Sequence, residues 1–346
     1  MKKTVVFIVL VGILIISACS TGGATPAAGG GETPKLSLTQ VKFATMANDA
    51  QDLMLVYVPD ELFWPKLGFT EPAKILSTDD ILPALVSGEA WIAQGGTNVF
   101  MTANEKSQGS VEFVIVGIDK DNEVRLFATR PGLTSVADLK PGSKISGGDM
   151  GDWDELVLRT IMDELKINPK EMDIISMGGG ADARMESLIA GQLDAAIIQP
   201  RNVNPLTRAG GVILYDKLVS APQESWAVTR DTLNKNKDAV CAFVLGRIQG
   251  KRWAYEGDDH TKNRPQAVEL AKKHQIEPSE DELADWVSEL EKNQSMDGGT
   301  TYPAMDLVVS GIKSMGLITE AYDWRAHADF TCVHEAQQKL GLPQRP

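Results

Sequence analysis

The residues best equipped for catalysis or metal binding in this 346-residue chain are four histidines and three cysteines. His260, His274, His327 and His334 all fall in the C-terminal quarter, a largely helical part of the chain, and none has the spacing of a metal-ligand set. No Gly-x-Ser-x-Gly elbow is present. Cys241 and Cys332 also lie in helical stretches and lack the histidine partner in a cleft that a nucleophile needs. Gly178-Gly179-Gly180 has neither dinucleotide-binding nor Walker spacing. Catalysis, a cofactor and a metal are therefore not expected, which leaves recognition. Here the stretch GGDMGDWDEL, residues 147–156, is the most informative. A helix start offers free N–H groups to anions, yet this one carries Asp149, Asp152, Asp154 and Glu155. Asp152 with Glu155 three residues on has the form of a capping box, and Asp154 in the first turn suits the helix dipole. Asp149 and Trp153 are left over as candidates for ligand contact.

The elements that must position such groups are legible as an alternation. Strand patterns at 41–45, 73–77 and 91–94 alternate with helical ones at 52–67, 79–86 and 98–106. Strand-like runs follow in VEFVIVGI and EVRLFATRPG. A second series then has strands at 144–146, 172–176, 195–199 and 212–215, and helices after Gly151 and at 181–190. ALVSGEAWIAQ at 84–94 is echoed by SLIAGQLDAAI at 187–197. Each is an apolar helix end, a glycine (Gly88, Gly191) to close it, and a small-residue strand. ESWAVTR at 224–230 reads as a strand returning to the first series, and helical patterns dominate from there on, including 279–293. The expectation is an α/β fold of two lobes joined by two crossings. Residues 38–129 and 224–346 form lobe 1, with its helical C-terminal part, and 130–223 form lobe 2.

The first residues carry a different message. Lys2 and Lys3 precede an uncharged apolar run too short to span a bilayer, which takes about 20 residues, and small residues lead into Cys19. The pattern resembles a bacterial lipoprotein signal over 1–18, with lipid attached to Cys19. Residues 19–37, rich in Gly, Ala, Thr and Pro, read as a flexible tether. The formal charge is −13, and −15 without Lys2 and Lys3. An acidic surface of this kind argues against nucleic acid and against a basic grip on anionic lipid. Cys241 and Cys332 remain as an even pair in an exported chain, either bridged or as buried free thiols.

LFWPKLGFTEPAKILSTDDILPALVSGEAWIA, LTSVADLKPGSKIS and MESLIAGQLDAAIIQP, in that order and spacing, resemble the periplasmic solute-binding family that serves ABC importers of taurine, sulfonates, nitrate and pyrimidine precursors of thiamine. The resemblance runs over essentially the whole mature chain. It implies the two-lobed periplasmic-binding-protein fold of type II, closing by a hinge around a small molecule. It also implies delivery to an ABC permease with its ATPase, and a monomer held in the cell envelope by its lipid. One departure is Trp91, where relatives often carry an acid; it bears either on packing or on the ligand.

Ligands in open α/β sheets bind beyond the carboxyl ends of the strands. That rule points to Asn48, Asp49, Gln51, Gln94, Thr97 and Asn98 in lobe 1. In lobe 2 it points to Asp149, Trp153, Gly179 and Gln199 with Arg201 and Asn202, and Trp226 looks in from the returning strand. Thr97 and Asn98 serve equally as helix caps, and the three glycines as a tight turn. Trp64, Trp253, Trp286 and Trp324 are assigned to packing. Aromatics beside amides and a carboxylate suit a neutral or cationic heteroaromatic ring, such as a thiamine pyrimidine precursor or riboflavin. The alternatives are a taurine, sulfonate or nitrate type of anion, or a tethered sensor with the same cleft.

Overall fold

The computed structural model describes residues 35–47, 50–280, 283, 287 and 294–345. The signal, Cys19, most of the tether, Asn48, Asp49, Trp286 and most of the expected helix at 279–293 lie outside the described residues.

In chain order the first lobe contains β1 (Gln40–Thr45), α1 (Ala50–Leu62), α2 (Trp64–Leu67), β2 (Glu71–Ser77), α3 (Ile81–Ser87), β3 (Ile92–Gly96), α4 (Thr97–Ser107) and β4 (Phe113–Lys120). The chain crosses through β5 (Glu123–Val124). It then builds β6 (Leu126–Thr129), β7 (Lys144–Gly148), α5 (Trp153–Glu164), β8 (Asp173–Ser176), α6 (Gly180–Ile189), β9 (Ala195–Ile198), α7 (Val203–Arg208) and β10 (Val212–Tyr215). It returns by β11 (Leu218–Val219) to β12 (Glu224–Thr229). The helices α8 (Arg230–Ala254), α9 (Arg264–Lys273), α10 (Tyr302–Ser314) and α11 (Thr331–Lys339) follow.

Two five-stranded mixed sheets result, ordered β2-β1-β3-β12-β4 and β8-β7-β9-β6-β10. Their designs match. In each, one strand lies between two parallel partners, and the last two strands run antiparallel. The echoed segments therefore occupy equivalent places, with β3 and β9 each central. Gly88 and Gly191, at φ of 76° and 72°, turn the chain in the left-handed conformation that glycine adopts without steric cost. The crossing is a small ribbon in which β5 and β11 pair antiparallel, Leu218 opposite Val124.

One boundary differs from the sequence expectation. Residues 126–129, placed in lobe 1, form β6 inside the second sheet, between β10 and β9. All four are buried, so their run of apolar and small residues reports burial but not the sheet that provides it. Partners distant in sequence decide that.

The main core includes residues of both lobes, Phe43, Ile92 and Val114 in one and Ile145, Leu156 and Ile161 in the other. A second cluster under the far face of sheet two holds Leu126, Ala128, Ala196 and Ile198, while Phe127, Ala195 and Ile197 face the main core. This is the two-residue alternation of strands buried on both faces. In lobe 1 the rings of Phe43, Trp64, Trp91 and Trp226 surround Phe243 at centroid distances of 5.2, 5.2, 5.9 and 6.1 Å. Trp91 thus acts in packing, its Nε1 donating to Gln40 O at 2.9 Å. A disulfide joins Cys241 of α8 to Cys332 of α11. Among the described residues no helix is long and apolar enough to cross a membrane.

Candidate functional site

The strand ends of the two sheets meet along a seam. From lobe 1 come Met46 after β1 and the Gly95-Gly96-Thr97-Asn98 corner after β3. From lobe 2 comes the Gly147–Asp152 turn, to which the Ser176–Gly180 turn is bonded through Ser176 and Asp149. Asn98 ties them directly, its Nδ2 donating to Gly151 O at 3.1 Å. A groove of about 300 Å³ follows the seam, lined by Leu82, Asn98, Thr102, Lys106, Met150 and Leu317 among others.

The expected residues divide when placed on this geometry. Gly96, not Thr97, stands at the N-cap of α4, and the buried Thr97 hydroxyl lies 2.6 Å from Ser225 Oγ. Gln94 is buried below the corner, donating to Glu224 Oε2 at 2.6 Å and accepting from Arg247 Nη2 at 3.4 Å. Asp149 is exposed and accepts from Ser176 Oγ at 3.1 Å, joining the turns after β7 and β8. Gly179 takes the left-handed conformation at the N-cap of α6. Gln199 closes the next turn with Asn202, and its side chain is held by Arg201. Gln51 stands in the first turn of α1. Trp153 opens α5, half-buried against the main core, with its indole N–H buried and unpartnered. Trp226 is not in the seam. It is fully buried in lobe 1, with Arg247 and Lys251 over its ring and Gly117 beneath, where a Cβ would meet the indole at 2.6 Å.

The acidic helix start is also built differently from a capping box. Asp152 is the N-cap of α5 but makes no side-chain cap; its Oδ2 instead accepts from Asp149 N at 3.2 Å. Glu155 reaches one residue further back, to Gly151 N at 2.8 Å, and pairs with Arg159 at 2.7 Å. Asp152 N, which a capping box would offer to Glu155, donates instead to Asp149 O at 3.0 Å, within a turn where Gly148 and Gly151 take positive φ. Asp154 is held by Arg125 at 2.6 Å and by the buried Arg184. Its charge thus serves ion pairs from two other elements more than it serves its own helix.

A set of charged groups at the lobe 1 strand ends had no signature in the sequence. Asp119 and Lys120 end β4, Asp121 follows it, and the three turn three ways. Asp119 goes inward to Arg247 and Lys251, both at 2.8 Å. Lys120 bridges Asp52 at 2.5 Å and Glu224 at 3.5 Å. Asp121 meets Arg345 at 2.7 Å, beside Asp297. Burial raises the Asp119 carboxyl, but Lys251 and Arg247 outweigh it and hold the group well below the usual carboxylate range. Burial, with Asp52 and Asp119 nearby, raises the Glu224 carboxyl despite Lys120. In sequence Asp52 stands at a helix start and Glu224 at a strand start, and nothing in their spacing links them to Lys120. Two methionines also border the seam, Met150, which is 78% exposed, and Met46, whose sulfur lies over Gly95.

Two matched α/β lobes, joined by a paired crossing and meeting at their strand ends, make this a protein of the periplasmic-binding-protein fold. Residues 75–261, more than half of the chain, match the family described as NMT1/THI5 like. The chain belongs to that family. No curated protein sequence matches it. Among solved structures it is similar to a protein of Methylobacillus flagellatus KT described as periplasmic sulfonate-binding, at 17% identity and a TM-score of 0.66, covering 90% of this chain and 99% of that one. It is similar to the periplasmic nitrate-binding protein of Synechocystis PCC 6803, at 13% identity and a TM-score of 0.60, covering 90% and 91%. A desulfurization enzyme shares the fold, at 12% identity and a TM-score of 0.57, covering 87% and 99%. The fold alone therefore does not separate binding from catalysis.

Proposed function

We propose that this protein is an exported solute-binding lipoprotein, anchored through Cys19, that captures a small molecule between its lobes and delivers it to an ABC import permease. The observation that carries the reading is the seam, where two sheets of one design present their strand ends to each other and Asn98 bonds across. Capture rather than catalysis is supported by where the reactive groups lie. His274 and His327 are hydrogen-bonded to Glu61 and Glu112 among the helices, and Cys241 and Cys332 are consumed by their disulfide.

The ligand we infer is a neutral or cationic heteroaromatic ring. Arg125 and Arg184 are ion-paired to Asp154, and Lys120 to Asp52 and Glu224, so at these three cations an anion would have to displace a carboxylate from its partner; Lys106, on the helix side of the groove, is the cation an anion would meet otherwise. Met46 and Met150 offer polarisable walls suited to a ring face. Isothermal titration of the mature chain, purified without refolding, against a pyrimidine, riboflavin, a polyamine, taurine and nitrate tests this. Tight binding of a ring compound is expected, whereas tight binding of taurine or nitrate alone would reject the ring and restore the anion alternative.

A further inference from the structure

Away from the strand ends, one helix of each lobe meets the other. α10 is fixed to lobe 1 at both ends: ahead of it Ile118 N donates to Gly298 O at 2.8 Å, and behind it Thr319 N donates to Glu105 Oε1 of α4 at 3.0 Å. α5 belongs to lobe 2, following β7 and packing on β7 and β9. Where the helices touch, a Cβ on Gly311 would stand 2.6 Å from Leu156 Cγ and 3.1 and 3.3 Å from its methyls. Leu156 is fully buried, so its side chain fills a socket that glycine leaves open. Gly311 lies inside a helix and has no positive φ. Glycine there costs roughly 1 kcal/mol of helix propensity relative to alanine, and the socket supplies a packing reason for it. The turn that leads into α5 is held to lobe 1 as well. Asn98 Nδ2 bonds Gly151 O, and a Cβ on Gly151 would stand 3.4 Å from Leu317, which follows α10.

We propose that the Leu156–Gly311 socket and the Asn98–Gly151 bond are the positioning contacts that set the closed angle between the lobes. They govern ligand affinity through the population of the closed form, since apparent affinity scales with the competent fraction. The meaning of the angle rests on the solute-binding reading, but the angle itself is measurable without ligand, so the two fail separately. Glu89 precedes β3 of lobe 1 and Lys170 precedes β8, the edge strand of lobe 2, and both are exposed, so dyes there report the distance between the lobes.

Single-molecule energy transfer between dyes at these positions, in the full ligand-free chain, tests the proposal. Gly311→Ala is expected to shift the distribution toward lower transfer, because the new methyl pushes Leu156 out of its socket, and Leu156→Ala in the same chain is expected to shift it back. Asn98→Ala, which leaves the socket intact, provides a second measurement and should shift transfer in the same direction as Gly311→Ala. Unchanged transfer in Gly311→Ala, a shift that Leu156→Ala does not reverse, or unchanged transfer in Asn98→Ala would each overturn the assignment of that contact.

Discussion

At the start of β12 the Glu224 carboxyl shares its surroundings with Gln94, Lys120 and, through Lys120, Asp52. Its raised value means that the fold holds the proton more tightly than the unfolded chain does. Ionisation therefore costs stability at pH above the raised value, and the cost vanishes as pH falls below the ordinary glutamate range, near about 4.3. Glu224→Gln keeps an acceptor for Gln94 and removes the charge. We expect it to raise the melting temperature at pH 8 and to change it little at pH 4; a fall at pH 8 would show that Lys120 gains more from the carboxylate than burial takes away. The same residue shows why the site is only partly readable from sequence. Strand-end logic places Asn98 and Asp149 at the turns that follow β3 and β7 because it needs only local pattern. It does not show that Gln94 and Trp226 are buried or that Glu224 meets Lys120, because the face on which a side chain ends depends on strands far away in the chain.

Elements bring these residues together through close approaches that single atoms permit. Near the end of β7 lies Gly147, where a Cβ would stand 2.7 Å from Asp154 O, 2.8 Å from Glu155 Cα and 2.9 Å from Leu158 Cβ. Two of these atoms are backbone, so α5 cannot accommodate a methyl by rotating a side chain. Gly147→Ala should cost roughly 1–3 kcal/mol and displace the turn that carries Asp149 and Gly151, lowering the melting temperature and weakening ligand binding together. A variant that melts and binds like the parent would mean that the helix shifts at little cost. Existence and order of the elements are legible because helix and strand leave their periods in the apolar residues, as α5 does with Leu156, Val157 and Ile161. The capping expectation failed at this same helix because φ at Gly148 and Gly151, and Arg184 thirty residues on, are outside what local spacing encodes.

At the scale of the molecule, matched sheets and a paired crossing make a two-lobed body whose tether begins, in our reading, at a lipid on Cys19. Serine cannot take that thioether-linked lipid, so Cys19→Ser is expected to move the protein from the membrane fraction to the soluble envelope fraction. Retention of the serine chain in membranes would remove the lipid from the account. The disulfide holds α11 to α8, the helix that supplies Arg247 and Lys251 to Asp119. The α/β alternation, the repeated helix-glycine-strand unit and the two-lobed plan are written in the chain, because apolar period and glycine position are local properties. Folding adds that β6 belongs to the second sheet, that Trp226 is core, that Asp154 answers to Arg125 and Arg184, and that Leu156 enters the space at Gly311. Each of these depends on pairing across long stretches of chain, and such pairing leaves no mark on the spacing of neighbours.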